Sequence, residues 1–95
     1  MKAPTTFRPG TTQTVAVGSS SAASANAFDA NTREIRIVVS VDAYVEFGSS
    51  PTATSSSLIL PAFTVEYFRV DSATKVAVLR VGANNGTARV TELSQ

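Results

Sequence analysis

From Ile35 onward the apolar residues fall on every second position: Ile35, Ile37, Val39, Val41, Ala43, Val45 and Phe47. Arg36, Val38, Ser40, Asp42, Tyr44 and Glu46 lie between them. A period of two held over thirteen residues suits one face of a β-sheet and no face of a helix. Strands are typically ~5–6 residues long. The spacing therefore predicts a break near Ser40-Val41-Asp42-Ala43, where Asp favours a turn, with one strand on each side.

Four further segments carry the strand signature: residues 13–18, 64–70, 75–81 and 87–93. Residues 57–60 form a weaker candidate stopped by Pro61. The stretch 71–74 reads as a hairpin loop joining its two neighbours. Asn85-Gly86 reads as a tight hairpin turn, because both residues tolerate positive φ. Six to seven short antiparallel strands spaced ~8–12 residues apart predict an all-β fold, a single small β-sandwich, jelly-roll-like, or a β-barrel. Its expected extent is 13–95. Residues 1–12 contain Pro4, Pro9 and Gly10 and lack periodicity, which predicts an extended N-terminal arm. Residues 18–32 read as a crossing loop whose one large apolar anchor is Phe28, and 48–57 as a second polar loop stiffened by Pro51. There is no internal repeat.

Composition narrows the function more than the fold. The 95 residues allow one domain, and 43% apolar against 16% charged is too hydrophobic for a disordered tail. The chain has no Cys, His or Trp. That excludes histidine acid–base work, thiol catalysis, Cys/His zinc sites and disulfides. No catalytic residue, cofactor or metal is expected, and the chain reads as a non-enzyme. A net charge of +1, with six arginines dispersed along the chain, gives no field for nucleic acid. No stretch resembles a signal peptide or approaches the ~20 apolar residues that cross a bilayer, so a soluble protein with no membrane partner is expected.

The residues that could carry chemistry have plainer readings. A serine nucleophile would need Lys2 or Lys75 as its base, whereas hydroxyls lining loops need nothing. Twelve serines and twelve threonines suit turns and sheet edges. Asp42, Glu46 and Glu66 alternate with core residues and are expected to point outward. Asp42 and Glu46 would stand about 13 Å apart, too far to share an ion. Arg36 or Arg69 are natural cross-strand partners for these carboxylates. Tyr44 falls opposite Phe47 in parity, and Tyr67 and Phe68 must point to opposite faces. At least one aromatic ring therefore leaves the core side, for a second apolar layer or a subunit interface. Sugar stacking is disfavoured without Trp. Asn85-Gly86-Thr87 matches the N-glycosylation pattern, although the hairpin accounts for Asn-Gly better.

Several strings along the chain do resemble a known group. They are Val41-Asp42-Ala43-Tyr44-Val45-Glu46-Phe47-Gly48, Pro51-Thr52-Ala53, Leu60-Pro61-Ala62, Glu66-Tyr67-Phe68-Arg69-Val70 and Val90-Thr91-Glu92-Leu93. Together, over about residues 35–93, they are similar to small virion structural proteins of tailed bacteriophages. That group places Cys or another small residue where this chain has Ala43. The motifs are structural and carry no chemistry. The resemblance implies a head decoration, or cement, protein on the capsid surface, made in the host cytoplasm. Its partners would be the major capsid protein and neighbouring copies of itself. A closed homotrimer would match the local three-fold positions of a shell.

Phe7 and Arg8 in the arm are the first candidates for contact, Phe7 as an apolar anchor and Arg8 toward a polar rim. Tyr44, Tyr67 and Pro51 are the secondary ones. Removing 1–12 is expected to leave the fold intact and weaken shell binding. Alternatives are a head–tail connector, a tail or fibre-base component, and a carbohydrate-binding or adhesive β-module.

Overall fold

The computed structural model describes residues 8–94, which form eight strands and no helix. The strands are β1 (Arg8–Val17), β2 (Ala22–Ala23), β3 (Glu34–Val39), β4 (Ala43–Gly48), β5 (Leu58–Leu60), β6 (Glu66–Arg69), β7 (Lys75–Arg80) and β8 (Gly86–Ser94). The first sheet runs β1-β8-β3-β6 and the second β2-β7-β4-β5, and every pairing is antiparallel. Strands pair from opposite ends of the chain: β1 with β8, β2 with β7, β3 with β6, β4 with β5. The arrangement is one long antiparallel ribbon rolled on itself, with the β3–β8 and β4–β7 ladders sealing the roll. This is the eight-stranded jelly roll, a β-sandwich of two Greek keys.

The period-two alternation makes the core. Val15, Val17, Ile35, Ile37, Val39, Ala88 and Val90 of the first sheet are buried against Ala43, Val45, Leu60, Val76 and Val78 of the second. Small β-branched side chains suit the ~10 Å separation of stacked sheets. At one end the Phe47 and Phe68 rings tie the sheets together, their centroids 5.1 Å apart. The chain changes sheet at Ser40-Val41-Asp42, where the break was expected, and Val41 still packs against the core.

Two expected hairpins are absent. β6 and β7 lie in different sheets, so 71–74 crosses the sandwich and Ala73 takes φ 61 there. β7 and β8 are likewise in different sheets, and Gly86 has no positive φ. Gly86 is required for close approach instead. A Cβ there would stand 2.6 Å from Ser40 Oγ and 2.7 Å from a Val41 methyl. Ser40 is fixed, since its N–H donates to Thr87 O and its Oγ accepts from Thr87 N–H.

Residues 8–12, expected in the arm, are strand instead, and 1–7 lie outside the described residues. Arg8–Thr12 belong to β1 and ladder to β8, with the register shifting between Pro9 and Thr12. Residues 8–12 are exposed on both parities, so this part of the strand has no buried face and shows no apolar period. Pro9 is tolerated because β1 is an edge strand. Glu66 is a further correction: it sits opposite inward-facing Ile37 and is half-buried, so it points to the inner side.

The crossing loop after β2 is held by hydrogen bonds throughout. Ser24 N–H donates to Val76 O and Phe28 N–H to Thr74 O, while Gln13 clasps both backbone groups of Asn26. Buried Glu92 accepts from Asp29 N–H at 2.9 Å and Thr32 Oγ1 at 2.6 Å through a single oxygen. The second polar loop reaches across the second sheet, because Ala53 N–H donates to Ser21 Oγ beside β2. Ala77 points to that outer face and is nevertheless fully buried.

Gly86→Ala is expected to lower unfolding stability by about 1–3 kcal/mol through this overpacking. Chemical denaturation with an unchanged slope is the check.

Candidate interaction surface

The residues singled out from sequence do not form one patch. Phe7 lies outside the described residues. Arg8 opens β1 opposite Ser94 and is exposed. Tyr44 is half-buried on the outer face of the second sheet, between Leu79 and Ile59. Pro51 is half-buried in the loop that crosses this sheet. Tyr67 is exposed on the outer face of the first sheet opposite Arg36, while Phe68 turns inward to Phe47, so the opposed parity of this pair holds.

Exposed apolar residues are instead concentrated in the segment that carries β5 and β6. Of the exposed large hydrophobic residues, Leu58, Ile59, Phe63, Val65 and Tyr67 all fall within one short segment, and Val81 lies apart. β5 and β6 are the outer strands of their sheets, so this segment also presents unpaired strand edges.

Phe63 is the extreme case, with 77% of its surface exposed. It occupies the third position of a Pro61–Thr64 turn closed by Thr64 N–H to Pro61 O, and its φ is 59. Type II turn geometry ordinarily calls for Gly or Asn at that position. The turn is clamped from both sides. Ala62 N–H donates to Asp42 Oδ1 at 2.8 Å, and Phe63 N–H to Val39 O at 2.7 Å. Beside the ring opens a cleft of about 300 Å³ lined by Val38, Val39, Ser40, Thr87 and Arg89 as well as Phe63.

An αL backbone costs an L-residue roughly 1–2 kcal/mol. Exposing a large aromatic side chain forgoes burial worth roughly 1.5–3 kcal/mol. The fold bears both costs at one residue and holds that residue rigidly. Observed strain of this kind points toward a working surface.

Asp42 and Glu92 are committed to loop amides. Among the described residues no group of three His, Cys, Asp or Glu could hold a metal ion. No helix among them is long and apolar enough to cross a membrane. What the β5–β6 segment offers is apolar area with a preset shape. The sequence did carry a signal for it. No charged residue occurs from Phe47 to Val65, and 58–70 is apolar on both parities, more than one inward face can absorb.

No family model, curated protein or solved structure matches the chain. The jelly roll itself serves capsid proteins, lectins and cupins alike, so the fold selects no function.

Phe63→Gly relieves the αL cost of ~1–2 kcal/mol and adds unfolded-chain freedom worth ~0.4–1 kcal/mol. The variant is expected to be more stable by about 0.5–1 kcal/mol, read as a raised thermal midpoint.

Proposed function

We propose that the chain is a non-enzymatic structural protein of a bacteriophage virion, a decoration or cement protein that binds the head shell and braces adjacent capsid subunits. The observation that carries this reading is Phe63, an exposed aromatic held in a strained turn by two backbone clamps. A protein whose output is binding gains from such a preset anchor, because little order is lost on contact. Aromatic anchors of this kind dominate interface energetics. The resemblance over about residues 35–93 to small virion proteins supplies the class of partner.

A shell also suits a small protein with a modest patch. Standard interfaces cover roughly 800 Å² per partner. Icosahedral repetition multiplies weak contacts by avidity. The major capsid protein and neighbouring copies are the partners, with a homotrimer at local three-fold positions as the closed form. Phe63 and Val65 are the central contacts of this reading, and Tyr67 lies at their margin.

The test uses particles purified from the virus that encodes the chain. Wild-type protein is expected at stoichiometric occupancy on the head in a cryo-EM map, and Phe63→Ala to reduce that occupancy at least tenfold with the fold intact. Density on the neck or tail would assign the protein there instead. Absence from the particles, or unchanged occupancy of the variant, overturns the reading.

A further inference from the structure

We infer that the outer face of the first sheet docks a carboxylate-bearing protein surface, through a diagonal row of Arg89, Arg36 and Arg69 with Phe63 beside it. This deepens the proposed function by giving the chemistry of the partner, and it rests on that reading for the partner's location only.

The register fixes the row. Arg89 of β8 lies opposite Val38, and Arg36 of β3 lies opposite both Thr91 and Tyr67. Arg69 of β6 lies opposite Glu34. Val38 and Arg36 are two apart on β3, as are Tyr67 and Arg69 on β6. The three arginines therefore occupy successive diagonal positions across β8, β3 and β6, each about 7–8 Å from the next. All point away from the core, because Ile35, Ile37, Val39, Ala88 and Val90 take the inward parity.

These arginines differ from others in the chain. Arg33 donates to Ala30 O and Arg80 to Asn85 Oδ1, so both serve local structure. Among the described residues, the side chains of Arg36, Arg69 and Arg89 have no hydrogen-bond or ion-pair partner. The one carboxylate on this face, Glu34, does not neutralise its neighbour. Its Oε2 is buried with no partner, although Arg69 sits directly across the strands. A protein of net charge +1 thus gathers three unpaired guanidinium groups on one face.

Guanidinium forks match carboxylates in geometry, often two bonds at a time. The neighbours favour protein over polyphosphate. Phe63, Val65, Tyr67 and half-buried Val38 flank the row with apolar area, for which a phosphate backbone has no complement. Arg89 itself lines the cleft beside Phe63, so the cationic and apolar elements form one surface.

The test needs no virus particle. Two immobilised twelve-residue peptides serve as probes, one alternating Glu with Leu and Phe, the other with Gln in place of each Glu. Wild-type protein is expected to bind the Glu peptide at least tenfold more tightly at 50 mM salt. The difference should shrink at 300 mM as charges are screened. Arg36→Gln/Arg69→Gln/Arg89→Gln should abolish the difference, and Arg89→Gln alone should reduce it, with circular dichroism and thermal midpoint unchanged. Phe63→Ala should weaken both peptides. Equal binding of the two peptides, or an unchanged triple variant, overturns the inference. So does tighter binding to duplex DNA or phosphatidylserine vesicles than to the Glu peptide. Binding of the Glu peptide by a protein absent from virus particles would overturn the virion reading alone.

Discussion

A sandwich this small has an interior only one side chain deep from each sheet, and that constraint governs the rest of the structure. The inward positions at the centre of β3, β4, β7 and β8 are apolar and fit within the sheet spacing, and charged side chains take inward parity only toward strand ends, as Arg80 and Glu92 do. Ile35, Ile37, Val39, Val45, Val76, Val78 and Val90 meet the constraint with β-branched side chains and almost no exposure. The rolled ribbon then sends six of the seven connections from one sheet to the other. Connections of this kind leave backbone amides without ladder partners, and a buried amide left unpaired is costly. Side chains take up the work. Glu92 serves Asp29 and Thr32, Gln13 serves Asn26, Ser21 serves Ala53 and Asp42 serves Ala62. These polar side chains thus hold the connections between the sheets.

The two sides of the sandwich are finished differently. Near β1 and β2 the long crossing loop is bonded to Gln13, Val76 and Glu92, and Phe28 fills the core beneath it. Along β5 and β6 the strands are short and their outer side chains are apolar. Short length limits edge-to-edge aggregation but does not conceal the apolar area. Natural monomers rarely leave such a cluster exposed without a use for it. The clamped turn at Phe63 adds stiffness at the place where stiffness aids contact.

The sequence displayed the parts of the fold that depend on parity, and concealed those that depend on where a strand goes next. The break at Ser40–Asp42 and the buried residues on both sides of it follow from the alternation alone. The turn residues in 71–74 and at Asn85-Gly86 say that the chain reverses, not whether it returns in the same sheet. Gly86 illustrates the limit. Its cause is the nearness of Val41, forty-five positions earlier, rather than its own φ. Ala22–Ala23 is too short and too bland to announce a strand, and the first half of β1 is exposed on both parities and so carries no apolar period. Tyr44 and Tyr67 were legible because parity places them. Phe63 was not, since an aromatic in a left-handed turn contradicts local preference, and its position follows from tertiary clamps that no local pattern encodes.

The contrast between the two outer faces bears on how such a protein would meet a partner. The second sheet is partly covered by its own chain: the loop through Pro51 and Ala53 reaches from β4 to Ser21 beside β2, and Ala77 on this face is sealed from solvent, while Ile59 stays exposed. Among the described residues no loop comparably spans the first sheet over half-buried Arg36 and exposed Arg89, Thr14 and Tyr67. Charge and apolar area then divide the task by range. Guanidinium groups act over about a Debye length and mainly set the rate and orientation of encounter. A rigid aromatic beside a cleft acts only on contact and mainly sets how long the partner stays. A surface that combines both has the ingredients for fast capture and slow release.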